Sequence, residues 1–271
     1  MAPTIDIIRH AESYHNLFGP QVRDPGITPI GGEQQCAELR RKYPHGSDVF
    51  FVIASPMRRC IETALRGIAP LLPADERIVS LLPELQEVNA SPSGTGSPKS
   101  KLLDTFGDLL EYGRGQEDEL REDWYVKGPG TRWEPDPKKV EVRARLARQK
   151  IRRATRIAMT HNPDTHTVVV THGEFAHWLT QDFAGVTNRR NSAWWNCEFR
   201  SYRFANLEDD DDDAALVEID TPDSRERREN YLPLADTEER RALQKQIAVL
   251  HVQGHARMAA IWAGQELEEN A

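Results

Sequence analysis

Three short runs of β-branched and apolar residues, each followed by a segment with helical spacing, most constrain how this chain can fold. The runs are TIDII from Thr4, VFFVIA from Val49 and HTVVVT from His166. Runs of this length and composition predict buried strands, and strands that alternate with helices predict a parallel sheet. We therefore expect an α/β fold, a three-layer sandwich in which helices cover both faces of a mostly parallel central sheet.

Weaker patterns complete this outline. RIVSLL predicts a further strand, and WWNCEFRSYRF and AALVEID predict a final pair. Residues 90–137 are rich in glycine, proline and serine, which predicts an irregular insertion with one helix around residues 101–111. A basic helix is expected at about residues 137–160 and a last helix at about residues 237–263. We interpret residues 1–271 as one domain that contains this insertion.

Composition narrows the class of protein. The chain of 271 residues is 38% hydrophobic and 29% charged, which suits a globular protein with a sizeable core. Its apolar runs are only of strand length, so we expect no membrane span, and Asp6, Arg9 and His10 interrupt what would have to be the apolar stretch of a signal peptide. The three cysteines are too widely spaced for a disulfide framework or a zinc site, which predicts a reducing, cytoplasmic setting.

Charge is unevenly distributed along the chain. The net charge of −8 argues against a nucleic-acid partner, although the segment Lys138–Arg156 is strongly basic and Glu208–Asp213 is entirely acidic. We interpret both segments as solvated surface. An acidic protein that handles phosphate must concentrate positive charge locally, so a phosphate site should be sought among clustered arginines.

Arginine, histidine and glutamate follow the predicted strands, at the point where each strand ends. Ligands of open α/β sheets bind at this edge, and helix N-termini there favour anions. These residues are therefore expected to meet, although they are scattered along the sequence. The set is Arg9 and His10 after the first strand, Arg58 after the second, Glu84 and Glu87 after the third, and His172 after HTVVVT.

This inventory favours phosphoryl transfer. Arginine presents a planar, permanently charged fork that matches phosphate oxygens. A neutral histidine can attack phosphorus, a carboxylic acid can protonate the departing oxygen, and a second histidine can donate to the phosphoryl oxygens. Side chains of this kind can stabilise the charge without a metal ion, so we expect neither a metal nor a cofactor.

Five motifs resemble those of the histidine phosphatase superfamily, the phosphoglycerate-mutase-like phosphatases. They are RHAES with Asn16 six positions after His10, TPIGGEQQ, SPMRRCIET, LQEVN and VVVTHGE. The motifs occur in the expected order within the first two thirds of the chain, and the small-residue loop after LQE resembles the fungal branch. The resemblance implies a phosphoglycerate-mutase-like fold and a phosphatase that works through a phosphohistidine.

Site residues are implied by the same resemblance. His10 would accept the phosphoryl group and Glu87 would donate the proton, with Glu84 as the alternative acid because LPEL fits the same short pattern as LQEV. The pocket would be completed by Arg9, Arg58 and His172, and the substrate would also contact Asn16, Ser13 and Gly173.

Simpler interpretations exist for several of these side chains. Arg58 could merely pair with Glu62 one turn on, and Asn16 could merely cap a turn. Glu84 is interpreted as a structural carboxylate if Glu87 is the acid. The remaining histidines are interpreted as surface or core residues: His15, His45, His161, His166, His177, His251 and His255.

Three functions remain open at this point. The first is hydrolysis of the phosphomonoester of a small metabolite. The second is a phosphomutase, disfavoured because the basic and aromatic segment that follows the acid in cofactor-dependent mutases is missing. The third is a scaffold that binds phosphorylated ligands with little turnover, disfavoured because binding alone would need only the arginines. The substrate is expected to be small, a homodimer is compatible with the sequence, and no nucleic-acid or membrane partner is expected.

Overall fold

The computed structural model describes residues 3–111, 120–189, 192–231 and 238–269, with side chains in the last two ranges described to residue 229 and from 238 to 262. Seven strands are found there: β1 Thr4–Arg9, β2 Val49–Ala54, β3 Val79–Leu81, β4 Leu110–Glu111, β5 His166–Thr171, β6 Phe199–Phe204 and β7 Leu216–Glu218. The α-helices are α1 Tyr14–Phe18, α2 Cys36–Lys42, α3 Arg58–Thr63, α4 Lys99–Phe106, α5 Pro137–Met159, α6 Gly173–Thr180, α7 Pro222–Tyr231 and α8 Glu238–Glu269.

The strands form one sheet in the order β4-β3-β2-β5-β1-β6-β7. Strands β1 to β5 pair in parallel, while β6 runs antiparallel to β1 and β7 antiparallel to β6. The mostly parallel sheet predicted from the sequence is therefore confirmed. Its parallel arrangement brings the carboxyl ends of β1, β2, β3 and β5 to one edge, where the candidate site residues were expected.

Helices cover both faces of the sheet because successive strand residues point to opposite sides. Ile5 and Ile7 of β1 pack on the face covered by α5 and α6, whereas Ile8 packs on the face covered by α2 and α3. Val168, Val169 and Val170 were predicted to belong to a strand buried on both sides, and they alternate between the same two cores. The three-layer arrangement is thus confirmed.

The predicted insertion contains a helix that differs slightly from the expected one. The sequence predicted a helix around residues 101–111, and α4 lies at Lys99–Phe106. Gly107 ends this helix with a φ of 54°, a conformation that glycine adopts readily. Residues 112–119 of the insertion lie outside the described part of the chain.

The basic and acidic segments were interpreted as solvated surface. The acidic residues Glu208–Asp213 are exposed as expected, whereas the interpretation is wrong for several arginines of the basic segment. Arginines on one face of α5 are bound by the acidic loop that precedes β7, and two of these arginines are at least 95% buried. The two segments neutralise each other at an interface that the sequence could not reveal. We call this the arginine–aspartate interface; its pairs are Arg148–Asp213 at 2.5 Å, Arg152–Asp211 at 2.8 Å and Arg156–Asp210 at 2.6 Å.

No helix in the described ranges combines the length and the apolar composition needed to cross a membrane.

Candidate active site

His10 follows β1 at the carboxyl edge of the sheet and has only 1% of its surface exposed. Its ring Nδ1 lies 2.7 Å from the carbonyl oxygen of Ala11. Because a carbonyl can only accept, Nδ1 carries the hydrogen and donates it, which leaves a lone pair on Nε2. Burial, together with the charges of Arg59 and Arg9, holds the pKa of His10 well below its usual value. The ring is therefore a neutral imidazole with one nucleophilic nitrogen.

His172 lies beside His10, with 5.3 Å between the ring centroids. It follows β5 directly and is the N-cap residue of α6. Arg59 donates from Nη2 to Nδ1 of His172 at 2.9 Å, so Nε2 carries the hydrogen and donates it to Ser55 Oγ at 3.0 Å. Burial, followed by the charges of Arg59 and His10, holds the pKa of His172 well below its usual value. Both histidines are thus neutral beside a permanent positive charge.

Arg59 lies beside the histidines, where the sequence analysis expected Arg58. Arg59 is 1% exposed and also donates from Nη1 to the carbonyl of Ser93 at 2.8 Å. The Arg58 side chain is 38% exposed, and its guanidinium lies 3.2 Å from Glu62, the pairing weighed as its alternative. Neighbouring residues of a helix point about 100° apart, so only one of two adjacent arginines can face the histidines. We call His10, His172, Arg9 and Arg59 the histidine pocket.

Arg9 ends β1 and donates a hydrogen bond to the carbonyl of Trp194. Its charge is one of those that lower the pKa of His10. A Cβ atom at Gly173 would lie 3.2 Å from Arg9 Cδ and 2.2 Å from Ser192 Oγ. Glycine at this position therefore leaves room for Arg9 beside the first turn of α6, which gives the predicted substrate-binding residue Gly173 a packing role.

Glu87 lies in the segment after β3 and is partly buried. Its Oε1 accepts a hydrogen bond from the backbone N–H of Val88 at 2.8 Å. Burial lowers the pKa of Arg59, and the charge of Glu87 opposes this effect by raising it. The Glu87 carboxylate therefore lies within electrostatic range of the histidine pocket.

Glu84, the alternative acid, has different partners. It is 1% exposed and pairs with Arg132 at 2.7 Å and Lys150 at 3.0 Å. These two cations hold Glu84 as part of the packing between the insertion and α5. The structural role that the sequence analysis gave to Glu84 agrees with these contacts.

Two buried cations, which the sequence analysis missed, hold the loop that follows Glu87. The Nζ of Lys127 donates to the carbonyls of Glu87 at 2.6 Å, Asn89 at 3.0 Å and Gly94 at 2.6 Å. Arg143 of α5 donates to the carbonyl of Gln86 at 2.9 Å. Burial, followed by the charge of Arg143, lowers the pKa of Lys127 well below its usual value. All three ammonium hydrogens are used to fix the backbone of this loop.

The motifs TPIGGEQQ and SPMRRCIET hold the backbone beside His10. Thr63 Oγ1 accepts from the N–H of Ala11 at 2.9 Å. Thr28 Oγ1 donates to Glu12 Oε1 at 2.7 Å, and a Cβ at Gly31 would lie 2.3 Å from the Glu12 carbonyl oxygen. These residues support the RHAES loop from behind, which accounts for their place in the ordered motif set.

Ser13 and Asn16, predicted as substrate contacts, form hydrogen bonds within the loop itself. Ser13 Oγ donates to the carbonyl of Gly26 at 2.7 Å, and Asn16 Oδ1 accepts from the N–H of Ser13 at 3.0 Å. Asn16 therefore caps the start of α1, which was its alternative interpretation. Ser13 is fully buried and Asn16 is exposed.

His15 belongs with the pocket, although the sequence analysis interpreted it as surface or core. Its ring centroid lies 5.5 Å from that of His10, and its Nδ1 is a buried atom that has no hydrogen-bond partner among the described residues. Burial, followed by the charges of Arg59 and Arg9, lowers the pKa of His15 to about 3. The only signal in the sequence was its position on the helix that follows His10.

The charges of the pocket define what it can bind. The hydrogen bonds of Arg59 go to the Ser93 carbonyl, to the Met57 sulfur and to the His172 ring, none of which is a carboxylate. A buried cation of this kind favours a ligand that brings the negative charge itself. Within the described ranges, no three histidine, cysteine or acidic side chains are grouped so that they could hold a metal ion.

A family model and several solved structures are similar to this chain. The family model described as histidine phosphatase superfamily (branch 1) matches residues 5–221 of this chain. The fold is similar to that of the ecdysone phosphate phosphatase from Bombix mori in complex with tungstate, with a TM-score of 0.53 and 15% identity over 81% of this chain and 93% of that chain. For the mycobacterial glucosyl-3-phosphoglycerate phosphatase the TM-score is 0.47, with 14% identity over 80% of this chain and 97% of that chain. No curated protein sequence matches this chain.

Proposed function

Because this chain belongs to the histidine phosphatase superfamily, we propose that it is a phosphatase that hydrolyses a phosphomonoester of a small metabolite through a phosphohistidine intermediate. The main support is the hydrogen bond from His10 Nδ1 to the Ala11 carbonyl, which leaves Nε2 as the nucleophile. Burial, followed by the surrounding positive charge, lowers the pKa of His10 and so keeps that nitrogen unprotonated at neutral pH.

In the first step, Nε2 of His10 forms a bond to phosphorus while the bond from phosphorus to the alkoxide oxygen breaks. Arg9 and Arg59 stabilise the negative charge of the transferring group, and His172 donates to its oxygens once its Nε2–H turns from Ser55 to the ligand. Glu87, in its acid form, gives its proton to the departing oxygen, so the product leaves as a neutral alcohol.

In the second step, water attacks the phosphorus of phosphohistidine and the P–N bond breaks. The Glu87 carboxylate, left ionised by the first step, takes the proton from this water. The electron pair of the P–N bond returns to Nε2, and the products are inorganic phosphate, neutral His10 and protonated Glu87. Lys127 and Arg143 assist both steps indirectly because they fix the loop from which Glu87 extends.

We further propose that the reaction needs no metal ion and that the enzyme works in the cytoplasm. Arginine and histidine side chains supply the positive charge that a metal would otherwise provide. All three cysteines are free thiols, as is usual in a reducing compartment.

A panel of phosphorylated metabolites, tested for released phosphate in excess EDTA, tests this function. We expect one chemical class to be hydrolysed and the rate to be unchanged by the chelator. Loss of turnover with EDTA, restored by a divalent ion, would contradict the mechanism. Transfer of phosphate within a sugar acid, without release, would identify a mutase, and tight binding without release would identify a scaffold.

A further inference from the structure

Two of the three cysteines, 161 positions apart in the sequence, lie next to each other in the fold. Cys36 is fully buried at the start of α2, where it packs with Ala11 and Ile27. Cys197, in the turn before β6, packs against this same small cluster. The two thiols share a side-chain hydrogen bond within this cluster, and that bond is the largest cause of a lowered pKa for Cys36 and a raised pKa for Cys197.

Both cysteines belong to segments that hold the backbone of the histidine pocket. The N–H of Cys197 donates to the carbonyl of Arg9 at 3.0 Å, and the side chain of Asn196 donates to the carbonyl of His10 at 2.9 Å. On the other side, Gln35 Oε1 accepts from the N–H of Glu12 at 2.7 Å. A change in the separation of the two segments therefore acts directly on the backbone at residues 9–12.

Reagents can reach this pair from solvent. Cys197 is partly exposed and lines a cleft of about 1010 Å³ together with Trp195, Asn196 and Leu39. His10, His15 and His172 do not line this cleft. A reagent that enters the cleft therefore reaches Cys197 without passing through the phosphate site. Cys197 also has a φ of 58°, an unfavourable conformation for a non-glycine residue that marks a tightly constrained turn.

We propose that Cys36 and Cys197 are an oxidation site: they form a reversible disulfide that alters the position of Arg9 and His10 and so lowers turnover. The oxidant is a peroxide that enters through the cleft. The bond would draw the start of α2 and the turn before β6 together, from packed sulfurs to a bonded pair of about 2.05 Å.

The chemistry balances with peroxide as the only co-reactant. The pair loses one proton to give an anion shared between two sulfurs, which the charges of Arg40 and Arg66 favour. Cys36, the thiol whose pKa is lowered, holds the negative charge and takes the proton of Cys197 as the Cys197 sulfur, which is open to the cleft, forms a bond to one peroxide oxygen; the O–O bond breaks and hydroxide leaves. The Cys36 sulfur then attacks the Cys197 sulfur, and the second hydroxide leaves with the Cys36 proton as water. Two thiols and one hydrogen peroxide thus give one disulfide and two waters.

Cys60 provides an internal control. It is fully buried beside His172, with 3.4 Å from its sulfur to Nε2 of that ring. Cys60 does not line the cleft through which the oxidant would enter, and burial raises its pKa with no neighbouring thiol among the described residues to take its proton. It should remain a free thiol under conditions that oxidise the other two.

The direct test uses the full chain treated with hydrogen peroxide, alkylated without reductant, cleaved with trypsin and analysed by mass spectrometry. We expect a cross-linked product of the peptides DPGITPIGGEQQCAELR and NSAWWNCEFR, with CIETALR recovered as the alkylated thiol. Dithiothreitol should release both peptides. Failure to form this cross-link, or a cross-link that includes CIETALR, would overturn the proposal. The readout is independent of any enzymatic activity.

The effect on the pocket is tested by the rate before and after peroxide with p-nitrophenyl phosphate. Because a displacement of about 1 Å can cost ~10²-fold in rate, the oxidised wild-type protein is expected to lose up to that factor and to regain it with dithiothreitol. In Cys36→Ser and in Cys197→Ser, the ratio of the rate after peroxide to the rate before it should stay near one. A cross-link that forms while the ratio is the same in the wild type and both variants would show that the disulfide does not act on the histidine pocket.

Discussion

The buried arginines in two regions of this molecule have different partners. At the arginine–aspartate interface each arginine pairs with a carboxylate, as Arg152 does with Asp211 at 2.8 Å. In the histidine pocket, Arg59 is equally buried but binds a carbonyl, a sulfur and a neutral histidine. Because a buried charge is costly unless it is compensated, the first region is complete within the protein, whereas the second favours an anionic ligand. By this criterion the interface arginines stabilise the fold, and the pocket arginines are those that we propose to bind substrate.

The same contrast exists between the two acids after β3, and it predicts the largest effect. Glu84 is held by two cations, whereas Glu87 accepts a hydrogen bond from a backbone N–H and has no cation paired with it among the described residues. Glu87→Gln should slow hydrolysis of an alkyl phosphate by ~10²–10⁴, because removal of a general acid has this effect, and should slow p-nitrophenyl phosphate much less. Steady-state rates on the two substrates measure the difference.

Glu84→Gln is the control for that prediction. Its rates per folded molecule should stay near the wild-type values on both substrates. If the Glu84 variant shows the dependence on leaving group and the Glu87 variant does not, the two acids have exchanged roles.

The next largest effect on rate is expected from substitution of one of two adjacent arginines. Arg59→Met should lower kcat by ~10²–10³, the usual loss when one donor to the transferring group is removed. Arg58→Met is the matched control at the next position and should retain most of the wild-type rate, since Arg58 pairs with Glu62. Equal losses of kcat in both variants would contradict the different roles that we assign to Arg58 and Arg59.

Substitution of an interface arginine should cost more folding stability than substitution of Arg59, which is the opposite of the order expected for the rate. Arg152→Met breaks hydrogen bonds to the side chain and carbonyl of Asp211 and should lower the free energy of unfolding by about 1–3 kcal/mol without changing kcat. Arg59→Met removes a buried charge that has no hydrogen-bonded carboxylate within the described ranges, so it should cost less stability despite its greater effect on rate. Urea unfolding of the two variants checks this, and a larger stability loss in Arg59→Met would contradict the comparison.

These contrasts also show which parts of the molecule could be predicted from sequence. The strands were predictable because TIDII, VFFVIA and HTVVVT have the composition of buried strands. His10 and His172 could be proposed as site residues because each directly follows such a run. Arg58 was proposed as their neighbour, whereas the structure places Arg59 beside His172, because a six-residue helix does not reveal which of two adjacent residues faces the sheet edge.

Long-range partners were beyond what sequence patterns can give. The acidic run lies more than fifty positions from the arginines that it binds, so each charge run by itself had the pattern of solvated surface. Lys127 belongs to an irregular segment, where nothing indicates that a lysine is buried. His15 has no periodic signal of its own. All three depend on tertiary packing.

Lowering the pH should reduce the stability contributed by the histidine pocket and by the arginine–aspartate interface at different pH values. This effect is expected to be smaller than those above. Burial holds the pKa of His10 and of His172 below the ordinary value near 6.5, so the unfolded chain binds protons that the folded chain does not. The free energy of unfolding should therefore fall as the pH drops below about 6.5, by about 1.4 kcal/mol per pH unit for each such histidine. At the interface, the pKa of Asp210 and of Asp211 is lowered, by the Arg156 hydrogen bond and by the Ala214 N–H respectively, so their contribution is lost only below about pH 4.

Denaturant unfolding at several pH values between about 7 and 5 measures this slope. In His172→Asn the slope should be smaller than in the wild type, whereas Asp211→Asn should leave it unchanged over this range. A slope that is unaffected by the histidine substitution would mean that these rings are not held neutral in the folded protein.

The covalent intermediate tests the central claim most directly. The wild-type protein is mixed rapidly with a labelled phosphate donor, quenched, and examined for phosphate that is lost in acid and kept in base, the behaviour of phosphohistidine. We predict such labelling on the tryptic peptide that contains His10, and its complete absence in His10→Ala. Acid-labile labelling that persists in His10→Ala, or turnover by the wild type without any labelled His10, would contradict the account.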